Sequence, residues 1–226
     1  MSKWSQYREI LRARREGAPL ADLAVMKFAW YVDRASPLNE QIRGLDEVYL
    51  DIDIDALRRL PEGTVGRAYA RHLDDHELQP MKVSPEIQRR YADNPLPLRY
   101  TTTHDLFHVL TGFPTTPAGE LGLFAFMVGQ GFASMKRLRQ AEVVYAIVMP
   151  LHAVGVRRNV RAGLAMARRA APLLAQPMRP LLGQPLAQVR RQLGIPTPEE
   201  AGIHPGHESL LSRWLLPKPS SQAATA

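Results

Sequence analysis

The sequence of 226 residues contains no cysteine. That excludes disulfides, thiolate metal sites and cysteine nucleophiles, and it fits a reducing compartment. Acid is scarce relative to base: 22 Asp and Glu stand against 29 Lys and Arg, for a formal net charge of +7. Such an excess attracts anionic membrane surfaces, nucleic acids or phosphorylated substrates. Aromatic residues make up only 7% of the chain and none interleaves with the arginines between 157 and 169, so nucleic acid is not an expected partner. Long apolar runs are also missing. The most apolar stretches, 121–135 and 143–156, are interrupted by Gln130 and His152 and fall short of the roughly 20 residues that span a bilayer. They read as buried core helices, with an apolar tunnel or a membrane interface as the alternatives. Residues 1–16 carry Lys3, Arg8, Glu9, Arg12, Arg14, Arg15 and Glu16 with no apolar run between them. No secretory signal is expected there, which predicts a cytoplasmic protein.

What the chain does hold is a concentration of chemistry at 101–120, TTTHDLFHVLTGFPTTPAGE. His104 and His108 are four apart, so on a helix their imidazoles stack one turn above each other and converge. That spacing suits one metal ion. Asp105 lies about 100° further round the helix, as a third ligand, a partner for an imidazole N–H, or a general base. Glu120 follows beyond Gly112, Pro114 and Pro117, which leave room for one helix to end and another to bring the carboxylate back. Two imidazoles and one or two carboxylates form an N/O site compatible with Zn, Fe, Mn or Co as the divalent ion. Three or four protein ligands leave a position for water or substrate, as catalysis requires. The plainer reading makes Asp105 and Glu120 first-turn acids, with one of Thr101, Thr102 or Thr103 capping the first helix and Thr116–Pro117 opening the second.

Elsewhere the pattern is helical. Residues 2–16 and 20–35 predict two helices split by Gly17 and Pro19. Thr64 caps a helix to Gln79, in which His72 and His76, set among Asp74, Asp75 and Glu77, read as surface residues. Asp51, Asp53 and Asp55 lack the Gly and Glu of a calcium loop. Ser84–Pro85 opens a further helix, NPLPL breaks it, and the pattern after Glu120 stays helical to about Gln140. Gly119, Gly122, Gly129 and Gly131 imply either a close helix crossing or a lipid tail lying along the helix. Arg157, Arg158 and Arg161 with Val156, Val160 and Leu164 form a basic amphipathic candidate for anionic lipid. A last helix is expected at 186–193 and a disordered tail at 217–226. The fold expectation is all-α: one mostly helical domain over 1–216, with an apolar pocket beside the metal-binding helix. An exposed apolar helix face would make a homodimer reasonable.

The order H-D-x-x-H-x11-E formed by His104, Asp105, His108 and Glu120 resembles the signature of the coenzyme Q biosynthesis protein 4 family. The likeness continues through GTVGRAYARHL at 63–73, EIQRRYADNPLPLRYTTTHD at 86–105, GELGLFAFMVGQG at 119–131 and PLAQVRRQLGI at 185–195. One departure is QPMRPLL at 176–182, where the family usually carries a Trp-Glu pair. The resemblance implies a ubiquinone biosynthesis protein, peripherally associated with the inner face of the cell membrane and with other quinone-biosynthesis proteins. It implies a divalent metal, zinc foremost, held by His104, Asp105, His108 and Glu120, with Asp105 and His104 as catalytic candidates. The implied chemistry is oxidative decarboxylation at ring carbon 1 of a polyprenylated 4-hydroxybenzoate. Two alternatives remain: a prenyl-lipid-binding scaffold without catalysis, and a metal hydrolase in which Asp105 replaces the Glu of H-E-x-x-H.

Overall fold

The computed structural model describes residues 3–150 and 153–206. The expected tail at 217–226, and the end of the expected domain from 207 on, lie outside the described residues. Within them the chain forms eleven α-helices and no strand: α1 (Lys3–Arg15), α2 (Leu20–Tyr31), α3 (Leu38–Arg43), α4 (Ile54–Arg58), α5 (Val65–Asp75), α6 (Pro85–Arg90), α7 (Leu96–Thr111), α8 (Pro117–Gly129), α9 (Met135–Val148), α10 (Ala153–Ala167) and α11 (Leu186–Leu193). The all-α expectation holds, and 51–55 forms loop and helix rather than strand.

The centre is α7, buried along nearly its whole length and packed against α2, α3, α5, α8 and α11. A fully enclosed helix with three successive threonines needs partners for their hydroxyls. It supplies them itself. Thr101 Oγ1 donates to Pro97 O at 2.8 Å, Thr103 to Arg99 O at 2.7 Å and Thr111 to Phe107 O at 2.6 Å. This corrects the expectation that one of these threonines caps the helix; the break at NPLPL is real but short, separating α6 from α7. The helix already begins at Leu96, after Pro95, and Pro97 sits in a first turn that needs no N–H.

Arg99 is buried completely, and its guanidinium donates to Leu174 O at 3.3 Å, Glu47 O at 3.1 Å and Gln176 O at 2.6 Å. Burial pushes it down to about 10, with Glu47 opposing. The divergent 176–182 segment is thereby tied to the central helix through its own backbone. At the other end of α7, Arg190 of α11 donates to Val109 O and Leu110 O, both at 2.9 Å, covering carbonyls that a helix terminus leaves free.

The apolar run after Glu120 is two helices rather than one. Gly131, at φ +92, turns the chain between α8 and α9, a conformation that glycine adopts without strain. Against α8 lies α10, and small residues set their closeness. A Cβ on Gly163 would run into the Gly122 carbonyl oxygen, and one on Gly129 would lie 2.6 Å from Ala167 Cβ. Gly119 is covered by Pro114 O. Protein atoms fill the space along α8, so the helix crossing accounts for Gly122 and Gly129, a loop carbonyl covers Gly119, and Gly131 serves the turn.

Candidate metal centre

Gly112 ends α7 in the left-handed conformation at φ +79, its N–H donating to His108 O at 2.8 Å. The turn points the Phe113 carbonyl back at His108, whose Nδ1 meets it at 2.8 Å. Nδ1 therefore carries a proton, and in the neutral ring, the form that ligates a metal, Nε2 presents a lone pair. The next helix opens as its sequence predicts: Gly119 N donates to Thr116 Oγ1 at 3.3 Å, and Pro117 occupies the first turn. Glu120 stands in that same turn, where the helix N-terminus favours an anion.

These two local structures bring the pieces together. Glu120 Oε1 lies 3.2 Å from His108 Nε2, and Oε2 lies 3.4 Å from His104 Nε2. Asp105 Oδ1 is 3.1 Å from His104 Nδ1, so Asp105 sits behind His104, on the side away from Glu120. One donor atom each from His104, His108 and Glu120 falls within a 4.8 Å span. His108 is 2% exposed, and its Nε2 makes no well-directed hydrogen bond.

The donors fit a metal. Two ligands at the tetrahedral angle on one ion, with bonds of about 2 Å, stand about 3.3 Å apart. Glu120 keeps that spacing to both imidazoles. A lone pair facing a carboxylate oxygen is repulsive unless a proton or a cation lies between them, and burial denies His108 Nε2 a solvent partner.

Electrostatics without an ion follow the same geometry. Burial alone would lower His104, but the charge of Glu120 and the hydrogen bonds to Asp105 and Glu120 outweigh it and hold the imidazole up at about 10. Burial tends to raise Glu120, yet the two histidines keep its carboxyl well below the usual range. Asp105 is lowered in the same way, burial opposing and His104 prevailing.

Around the ligands is an aromatic wall that the sequence pattern does not reveal. Phe28 of α2 stacks over His104 at 6.4 Å, Tyr100 meets it edge-on at 5.2 Å, and Phe132 lies 4.3 Å from Tyr100. His72 is a correction. It is not a surface residue: its ring stacks on His108 at 5.8 Å with an interplanar angle of 15°, and its Nε2 is buried. Asp74 and Asp75 occupy other faces of α5, Glu77 lies beyond the end of the helix, and His72 is turned inward with Tyr69 and Leu73. Periodicity held that signal, since those residues share the helix face with it.

The family model described as "Coenzyme Q (ubiquinone) biosynthesis protein Coq4" matches residues 47–199. The chain belongs to the Coq4 family. "Ubiquinone biosynthesis protein coq4, mitochondrial" of Aspergillus fumigatus is 32% identical over 160 residues, covering 64% of this chain and 50% of that protein. "Ubiquinone biosynthesis protein COQ4 homolog, mitochondrial" of Mus musculus is 28% identical over 162 residues, covering 65% and 56%. The chain spans about half the length of these curated relatives. A crystal structure from Nostoc punctiforme PCC 73102, of a protein assigned to ubiquinone biosynthesis, superposes with a TM-score of 0.57 at 23% identity over 84% of this chain and 95% of that one. That likeness shows a shared fold. All four signature residues of the motif fall inside the matched segment. No helix among the described residues is long and apolar enough to cross a membrane.

Proposed function

We propose that this Coq4 protein serves ubiquinone biosynthesis by binding one divalent metal ion through His104, His108 and Glu120 and carrying out oxidative decarboxylation at ring carbon 1 of a polyprenylated 4-hydroxybenzoate. The observation that carries the metal reading is the buried Nε2 lone pair of His108 facing the Glu120 carboxylate at 3.2 Å. The bound ion would supply positive charge to the substrate's carboxylate and phenol oxygens as carbon dioxide leaves, and a redox-active metal would also engage dioxygen.

The chain's own residues do the rest. Phe113 O fixes the His108 tautomer, and Asp105 orients His104 from behind, as outer-sphere acceptors do for metal-bound imidazoles. We therefore assign Asp105 a positioning part instead of a ligand's. Three protein ligands would leave a position for substrate, and His104 and Glu120, both partly exposed, lie where it would be reached. The partly exposed Phe28, backed by the buried Tyr100, offers an aromatic edge beside His104 against which the substrate ring can lie. Replacement of the carboxylate by hydroxyl takes one oxygen atom from dioxygen, the other leaving as water, with two electrons from an external reductant and three protons from solvent, and the carboxylate departs as carbon dioxide. The polyprenyl tail of such a substrate fits a protein that works at a membrane surface, beside other quinone-biosynthesis proteins.

The test is elemental analysis together with carbon dioxide release from a prenylated 4-hydroxybenzoate, on wild type and His108→Ala. Wild type is expected to carry about one metal per chain and to decarboxylate, and the variant to do neither. Metal-free wild type that binds prenyl lipid as well as the variant would replace this reading with a lipid-presenting scaffold.

A further inference from the structure

Between Glu120 and Glu199 the sequence holds eleven lysines and arginines and a single acid, Glu142. The chain's whole positive excess lies in this stretch. The corner from α9 to α10 arranges part of it around an apolar tip. Val143, Val144, Ile147, Val148 and Val154 are all exposed there, Ile147 by 75% and Val154 by 77%. Lys136 and Arg139 precede the tip on α9, and Arg157 and Arg161 follow it on α10, all four exposed. Among the described residues none of these four forms an ion pair. An open groove of about 790 Å³, lined by Lys136, Arg139, Gln140, Val143 and Val144, runs across the change from basic to apolar.

The spacing has a physical match. Lys136, Gln140, Val143 and Ile147 follow one line along α9, and at 1.5 Å per residue Arg139 stands about 6 Å from Val143, while Arg157 and Arg161 stand about 5 and 10 Å beyond Val154. An interfacial helix sinks its apolar face about 5–10 Å into the boundary between headgroups and acyl chains, and the polar layer of each leaflet is about 5–8 Å thick. With Val143 and Val154 at the acyl boundary, Arg139 and Arg157 stand at the depth of the phosphates, and Lys136 and Arg161, about 10 Å out, stand just above them.

We propose that the α9–α10 corner is the surface by which this protein docks on an anionic phospholipid membrane. This deepens the membrane-surface placement proposed above and does not depend on the metal. A second copy of the chain is a poorer occupant, because two-fold pairing of this corner would set four uncompensated cations of each copy against those of the other. The inner face of α9 buries Leu138 and carries Tyr145 into the field of Glu120.

Co-sedimentation with vesicles of phosphatidylcholine alone, and of phosphatidylcholine with phosphatidylglycerol in equal parts, tests the surface. Wild type should bind the mixed vesicles, weaken with salt, and lose about fivefold in affinity for each of Lys136→Gln and Arg139→Gln. Ile147→Asp should abolish binding while leaving circular dichroism unchanged, because the residue is exposed. The cysteine-free background permits Ile147→Cys to be labelled with an environment-sensitive dye, whose emission should shift to the blue on mixed vesicles. If wild type binds but Ile147→Asp binds equally well, membrane placement stands and this surface is wrong. If wild type does not bind, both fall. If Ile147→Asp instead halves the mass seen by light scattering without changing vesicle binding, the corner is a dimer interface and the proposal is overturned.

Discussion

His108 and Glu120 meet at 3.2 Å through an imidazole lone pair and a carboxylate oxygen, with the other imidazole nitrogen already committed to Phe113 O. Neither group can donate to the other unless His108 gains a second proton, so an electropositive centre between them relieves the contact. Glu120→Gln keeps the size and one carbonyl oxygen but removes the charge that holds His104 up. We expect at least a tenfold loss of metal affinity with the fold retained, measured by metal content after dialysis beside far-UV circular dichroism. Unchanged stoichiometry and affinity would remove Glu120 from the ligand set.

Protons and metal compete at His104. In the metal-free protein its imidazole stays protonated to about pH 10, chiefly because Glu120 and Asp105 overcome the effect of burial, whereas ligation requires the neutral form. Binding at pH 7 should therefore release about one proton, and affinity should rise by about tenfold per pH unit from neutrality toward pH 10. Calorimetry in buffers of differing ionisation heat reads the proton directly. No proton release would mean that His104 does not ligate.

His72 makes the opposite prediction. Burial first, and the neighbouring His108 second, push it down to about 4, so below its unfolded value of about 6.5 the unfolded chain binds a proton that the native chain does not. Stability should fall as pH drops from about 6.5 toward 4. His72→Phe, which keeps a ring against His108, should flatten that part of the pH profile of the thermal midpoint. An unaltered profile would show that His72 titrates normally.

How much of this is legible in the sequence depends on how local the cause is. Thr64, Ser84–Pro85 and Thr116–Pro117 are caps written within four residues, and the structure uses each of them as such. The His104–His108 pair and the return of Glu120 follow from helix spacing and two prolines. Thr101, Thr102 and Thr103 mislead because a threonine suits a cap in water, whereas in a buried helix its hydroxyl turns back to a carbonyl one turn earlier. Phe28 and Tyr145 reach the site from α2 and α9, and no local pattern says which helices pack together. His72 is hidden by the acids beside it, although its own helix face points inward.

Arg99 anchors the central helix by long-range bonds alone. Arg99→Ala would leave the carbonyls of Glu47, Leu174 and Gln176 without their donor and open a cavity in the core. The expected cost is about 3 kcal/mol or more, read from denaturant unfolding at constant m-value. Arg99→Lys should recover only part of it, because an ammonium group cannot reproduce the spread of the guanidinium fork. Full rescue by lysine would mean that the charge, not the geometry, matters.

The α8–α10 crossing can be tested against intrinsic helix preference. Alanine is favoured over glycine by about 1 kcal/mol in a helix interior, so Gly163→Ala would stabilise an exposed helix. Here its Cβ would collide with the Gly122 carbonyl and crowd Phe126 N, and backbone cannot yield as a flexible side chain does. Overpacking of about 1–3 kcal/mol should win, lowering the thermal midpoint. Gly183→Ala, in a turn outside the helices, is the control for the added carbon itself, because nothing lies within 4 Å of it and little change is expected. If Gly163→Ala raised the midpoint instead, α8 and α10 would not be in backbone contact at Gly122 and Gly163, and the crossing would not be what fixes Glu120 on α8 relative to the histidines.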